Sequence, residues 1–229
     1  MDIHPPHAPI RSIRDFLVQL LTVIIGILIA LSLEGLVQRH HRQALVHEAR
    51  VSLAAEIRDN EARLKSGLDR APEAEAALQA TIAQMQLHRR DPGAPWSSFT
   101  WGFALFPLAS TAWNTAASTG ALASMPYTEV AHYTRVYLRQ EQFLAVQQRT
   151  LDRWLELQQW AERMGPPAHR PTLTADQMQQ VEAAAAAALM HTRTEESIAT
   201  AVLTEYAAAL RLLGGSREGA AVADSTAAR

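Results

Sequence analysis

The chain has 229 residues, 48% of them hydrophobic and 19% charged, which excludes disorder throughout and points to one folded domain with appendages. A formal charge of −2 supplies no global field for nucleic acid, and nucleic acid is not expected as a partner. The chain has no Cys, so disulfides and thiolate chemistry are excluded and the commonest zinc ligand is missing, while abundant Ala and only 10 Gly favour helix.

Residues 1–15 read as an N-terminal tail. Residues 16–37 carry only Gln19 and Glu34 as strongly polar side chains. As a helix they would reach about 33 Å, enough for a hydrocarbon core of about 30 Å. The flanks hold the ionisable groups, Arg11, Arg14 and Asp15 before the run and Arg39, His40, His41 and Arg42 after it. These features predict a transmembrane helix and the lipid bilayer as a partner. Two alternatives stand beside it. Arg11 and Arg14 make a short basic region, and Ala30-Leu31-Ser32 is a small-x-small site where a signal peptidase can cut. A buried core helix is the other, although such helices normally keep one polar face. Four Arg lie within about 20 residues downstream against two upstream, which favours a cytoplasmic bulk. A short basic N-terminus before a first apolar helix also suits a signal anchor, so both orientations stay open.

Helical periodicity continues from the span to about Lys65, with Leu53, Ile57, Leu64 and Leu68 on one face. Gly67 and Pro72 mark a break, and Pro72 with Glu73 and Glu75 suits the first turn of a second helix. That helix carries Leu78, Ile82, Met85 and Leu87 and ends at the turn "RRDPGAP". The stretch from 96 to 108 concentrates two of five Trp and three of five Phe. It reads as a plug for one end of a helical core, or as a segment dipping into the membrane interface.

Residues 110–123 predict a short helix of small residues anchored by Trp113, with Gly120 placed for close backbone approach. A long helix follows over 125–164, with Val130, Tyr133, Tyr137, Leu144, Leu151, Trp154 and Leu155 as its stripe and Gly165-Pro166-Pro167 as its stop. Thr174-Ala175-Asp176-Gln177 matches a capping box, with Leu173 and Met178 set as its hydrophobic staple. The helix that starts there has an apolar stripe from Met178 to Leu213, interrupted by a polar gap near residues 194–196, and is expected to end at Gly214-Gly215. Residues 214–229 read as a disordered tail.

The expected fold is therefore all-α: a transmembrane helix over 16–37 that continues into a stalk helix, then an antiparallel helical bundle, stalk and bundle together filling 38–213. The stretch "RDFLVQLLTVIIGILIALSLEGLVQRHHRQALVHEARVSLAAEIRDN" resembles the start of uncharacterised bacterial membrane-anchored proteins whose anchor reads F-L-x-E-L-L-x-x-x-I-G-I-L-I-A-L before a charged helix. "AWNTAASTGALASMPYTEVAHYTRVYLRQ" resembles their second recurring segment. Gln19 stands where that pattern has an acidic residue. The resemblance covers about a third of the chain and implies a single-pass inner-membrane protein, with no reaction attached.

Few residues suggest chemistry. Trp113, Asn114, Thr115 and Gly120 form the densest polar-aromatic group and are the candidate ligand-binding residues, set between helices. Arg39, His40, His41 and Arg42 are candidates for lipid headgroup contact. His40 and His47 share a helix face but lie about 10 Å apart along the axis, too far for one metal ion, so no metal is expected. Glu129 and His132 stand one turn apart without an evident nucleophile, and neither an enzymatic activity nor a cofactor is expected. The expected function is a membrane-anchored interaction or scaffold module, working through its long amphipathic helices as a homo-oligomer or with a protein partner. The alternative is a membrane-tethered sensor of a small ligand near Trp113.

Overall fold

The computed structural model describes residues 13–97, 102–165 and 172–227, with side chains to residue 213 apart from that of Asp15. All regular structure among them is helical. Five α-helices follow in order, α1 (Ile13–Leu68), α2 (Ala71–Arg90), α3 (Thr111–Ser118), α4 (Tyr127–Met164) and α5 (Ala175–Ala227), with a single 3-10 turn at Leu122–Ser124. The chain divides into two compact units, Met1–Glu48 and Ala49–Arg229.

The first unit is the N-terminal part of α1. One helix here is long and apolar enough to cross a membrane. From residue 16 to 34 every side chain is exposed, including Leu17, Ile24, Leu28 and Leu33. A core helix of a soluble domain would have these side chains buried. Several polar groups in and beside the run bond within the helix. The hydroxyls of Thr22 and Ser32 donate back to the carbonyls of Val18 and Leu28, at 2.9 and 2.7 Å, and Gln38 donates to Glu34 at 3.3 Å. The helix already starts at Ile13, three residues before the expected span.

In the second unit, α1 buries Leu53, Ile57 and Leu64 as its periodicity requires, with Asn60 buried among them. The break before α2 is slight. Asp69 still donates its N–H to the Lys65 carbonyl, Arg70 donates to Gly67, and Pro72 sits in the first turn of α2. Cross-helix contacts give the directions. Arg50, Glu56 and Asn60 meet Glu129, Tyr137 and Gln140, so α1 and α4 run the same way. Gln140, Gln147 and Trp154 meet Tyr206, Glu195 and Thr192, so α5 runs antiparallel to α4. Glu75 and Gln86 meet Arg193 and Glu182, so α5 is antiparallel to α2 as well.

One end of the core joins Leu78 and Met85 of α2, Trp154, Leu157 and Met164 of α4, and Met178, Val181 and Ala185 of α5. Ala184 and Ala188 are also buried, so the alanine run serves as a thin packing face. The start of α5 is the expected capping box. Gln177 N–H donates to Thr174 Oγ1 at 3.2 Å, and Thr174 N–H donates to Gln177 Oε1 at 2.9 Å. Leu173 and Met178 are both buried in the same cluster.

Several expectations need correction. Leu87 and Leu155 are exposed, and His88 and Leu157 take the buried places beside them. The backbone is helical through Gly214-Gly215 to Ala227, so α5 does not end at the glycine pair as expected. Ala-rich flanks of high helix propensity work against the cost of two mid-helix glycines, about 1 kcal/mol each. Gly120 has φ +78° and open space where a Cβ would stand, so it serves a turn and not a close helix crossing.

From Asp91 the chain returns along the bundle toward α3. Its first anchor is His88, whose ring nitrogens lie 2.9 Å from the carbonyls of Gln84 and Ala94 and whose face stacks on Trp96 at 3.5 Å. Its second is Ala109. Asn60 donates to the Ala109 carbonyl at 2.7 Å and accepts its N–H at 2.9 Å, while Gln140 donates to the same carbonyl and accepts from Tyr206 at 2.7 Å. Between these anchors Phe103 packs toward Trp154, and Phe106 lies over Gly67. This aromatic stretch thus lines the side of the helical core over the residues described. Residues 98–101 of the predicted plug lie outside those residues.

Candidate functional site

The return strap leaves a half-open cavity of about 380 Å³ beneath it. α1 and α2 supply one wall through Leu64, Gly67, Ala74 and Ala77, and the strap supplies Phe103 and Phe106. Phe143 and Trp154 come from α4, and Thr192, Glu195, Glu196 and Ala199 from α5. The volume falls within the range of small-ligand pockets, which are mostly apolar with a few placed polar groups. Small residues on α1, α2 and α5 make this space. Gly67 matters most, because a Cβ there would stand 2.8 Å from the Phe106 ring.

The polar groups lie on the α5 side, in the gap of its apolar stripe. Glu195 is buried and accepts one hydrogen bond from Gln147 at 3.2 Å. Burial pushes its carboxyl above the ordinary range, opposed by donors from Gln147 and Thr150 and reinforced by the charge of Glu196. Glu196 is also raised, first by burial and then by the Glu75 carboxylate beside it, with Arg193 opposing. Arg193 is committed to Glu75, reaching both carboxylate oxygens at 3.1–3.2 Å. Among the described residues, Glu196 Oε1 is the buried side-chain oxygen without a hydrogen-bond partner.

The residues singled out in the sequence fall elsewhere. Trp113 stacks on Tyr137, with ring centroids 5.1 Å apart, while Asn114, Thr115 and Gly120 are exposed and none of the four lines the cavity. α3 is held instead by Glu56, which accepts the Ala112 N–H at 2.8 Å and the Tyr137 hydroxyl at 2.7 Å. The small residues around Trp113 thus form a short capped helix lying on α1 and α4. Glu129 and His132 do not work together. Glu129 is a bidentate partner of Arg50 at 2.7 and 2.8 Å, and His132 faces Arg135. Arg39, His40, His41 and Arg42 are all exposed on α1. Among the described residues no three His, Asp or Glu side chains are grouped to hold a metal ion.

The signal for the cavity in the sequence was the polar gap near residues 194–196, within a helix otherwise apolar on that face. A gap in a stripe does not say what stands opposite. The strap that closes the space is about ninety residues away in sequence.

No family model, no curated protein and no solved structure matches the chain.

Proposed function

We propose that the chain is a single-pass protein of a bacterial inner membrane whose helical domain binds a small ligand in the cavity under the strap. The cavity carries this proposal. A scaffold working only through helix surfaces has no need of a 380 Å³ space walled by four aromatic rings and three acids. A half-open space with mostly apolar walls holds water poorly and offers a ligand burial on several sides. The site is thus moved from Trp113 to the strap, while the tethered-sensor reading keeps its outline. The exposed apolar run of α1 supports the anchor, and its resemblance to bacterial membrane-anchored proteins supports the compartment. Arg39, His40, His41 and Arg42 then meet lipid headgroups at the end of the span.

The test uses the full chain in detergent or lipid nanodiscs. Small aromatic compounds of each charge type are titrated while Trp fluorescence is followed, beside an Ala77→Phe variant that fills the cavity. Saturable binding lost in Ala77→Phe supports the reading. Absence of saturable binding by any of them returns the domain to the scaffold reading.

A further inference from the structure

The cavity has a charge preference that its shape alone does not set, and this inference rests on the ligand-binding reading above. Three acids, Glu73, Glu195 and Glu196, and one arginine, Arg70, line it, and the Glu75–Arg193 pair stands beside Glu196; their pairing decides what it accepts. Arg193 is spent on Glu75. Arg70 and Glu73 are both exposed, three residues apart, and together add no net charge to the lining. Two carboxylates remain, Glu195 and Glu196, on the inner wall of a pocket otherwise lined by Phe103, Phe106, Phe143 and Trp154. Glu195 has its donors in Gln147 and Thr150, whereas Glu196 Oε1 has none. Glu196 is only partly buried, but its Oε1 is out of reach of water, and a carboxylate oxygen in that position without a donor holds a proton or recruits a cation.

We propose that the cavity binds a protonated primary or secondary amine carried on an apolar body, with the ammonium against Glu195 and Glu196 and the body among the aromatic rings. Each part of such a ligand answers a feature of the pocket. Its N–H groups donate to the unpartnered oxygen of Glu196. Its charge offsets the two acids, and aromatic faces favour a cation beside them. The apolar body fills space that water fills poorly. An anionic ligand would meet Glu195 and Glu196 on the inner wall, with the exposed Arg70 as the one guanidinium of the lining, and a neutral one would leave their charge uncompensated.

The ammonium can come from a soluble amine or from an ethanolamine headgroup, and one experiment separates the two. The full chain in dodecylmaltoside is titrated with 4-phenylbutylammonium, 4-phenylbutanol and 4-phenylbutyrate, which share one apolar body and differ in charge. Binding is followed by calorimetry and Trp fluorescence. The amine is expected to bind at least about tenfold more tightly than the alcohol, with the carboxylate weakest. Glu196→Gln is expected to remove most of that preference, weakening the amine far more than the alcohol. If Glu196→Gln does not fold, the three-ligand comparison on the wild-type chain still decides. Equal affinity for amine and alcohol, or tightest binding of the carboxylate, overturns the amine assignment while the ligand pocket stands. Failure of all three to bind overturns both. Competition by O-phosphorylethanolamine assigns the ammonium to a headgroup, and lack of competition assigns it to a soluble amine.

Discussion

Asn60 shows how much of this domain depends on single polar side chains inside apolar stripes. Its amide pairs with both backbone groups of Ala109 and touches Gln140, which in turn receives the Tyr206 hydroxyl. All three side chains are buried, and together they tie α1, the strap, α4 and α5. Replacing Asn60 by Ala strands the Ala109 N–H, and urea denaturation is expected to show a loss of about 2–4 kcal/mol. Tyr206→Phe leaves Gln140 its other partner, so a loss of only about 1 kcal/mol is expected. Glu195 makes the opposite case. Its carboxyl is raised from the ordinary value of 4.5, chiefly by burial, so the folded chain holds that proton at a pH where the unfolded chain releases it. The corresponding stability is complete below the ordinary carboxyl range and declines as pH rises above about 4.5 toward the raised folded value. Gln147 and Thr150 of α4 donate to the carboxyl, and Glu196 faces it from α5. Glu195→Gln removes the buried charge, so its melting temperature should equal the wild type's near pH 4 and exceed it at pH 8. A variant equally destabilised at both pH values would show that Glu195 is held by its hydrogen bond alone.

The helices differ in whether their ends are secured locally or from a distance, and this governs what could be read from the sequence. α5 begins with a reciprocal cap made within four residues, so both the cap and the start were legible from Thr174 and Gln177. Thr174→Ala should cost about 1 kcal/mol in thermal or urea unfolding, with the spectrum of the folded state unchanged. α3 begins with no side-chain cap of its own at Ser110. Its Ala112 N–H is satisfied by Glu56, which lies 56 positions earlier, and no local pattern announces that. Gly67 was legible as an irregularity but for another reason than the one it serves. The helix hardly breaks there, and the missing Cβ makes room for the Phe106 ring. Helix type and buried faces follow from period and composition, which local sequence carries. The strap has no period, so the cavity beneath it could not be located. Trp113, Asn114, Thr115 and Gly120 drew attention by being close in sequence, whereas the cavity takes its polar groups from α5 and its rings from the strap and α4.

At the scale of the molecule, the two units pose separate physical problems. The second unit buries its apolar residues among its own helices, and the first exposes nearly all of its apolar residues over 16–37. Exposed Leu, Ile and Val over more than five turns of helix demand an apolar environment, since at about 25 cal/mol per Å² such a surface in water is strongly unfavourable. If that environment is a bilayer, charge at mid-span is the sharpest perturbation available. Ile25→Arg together with Leu28→Arg places two guanidinium groups at the centre of the run, each costing about 2.5–3.5 kcal/mol for insertion. Both positions are exposed and lie in the first unit. The double variant should therefore move from the carbonate-resistant membrane fraction into the extractable one. Its protease-resistant helical domain and the unfolding of that domain should remain as in the wild type. Full retention in the carbonate-resistant fraction would mean that something other than this helix holds the chain to the membrane. Release of a soluble wild-type fragment beginning after Ala30-Leu31-Ser32 would mean that the run is a cleaved signal. Because the substitutions touch the first unit alone, a change in the second unit's stability would itself show that the two are energetically coupled, and ligand occupancy under the strap would then have a route to the membrane.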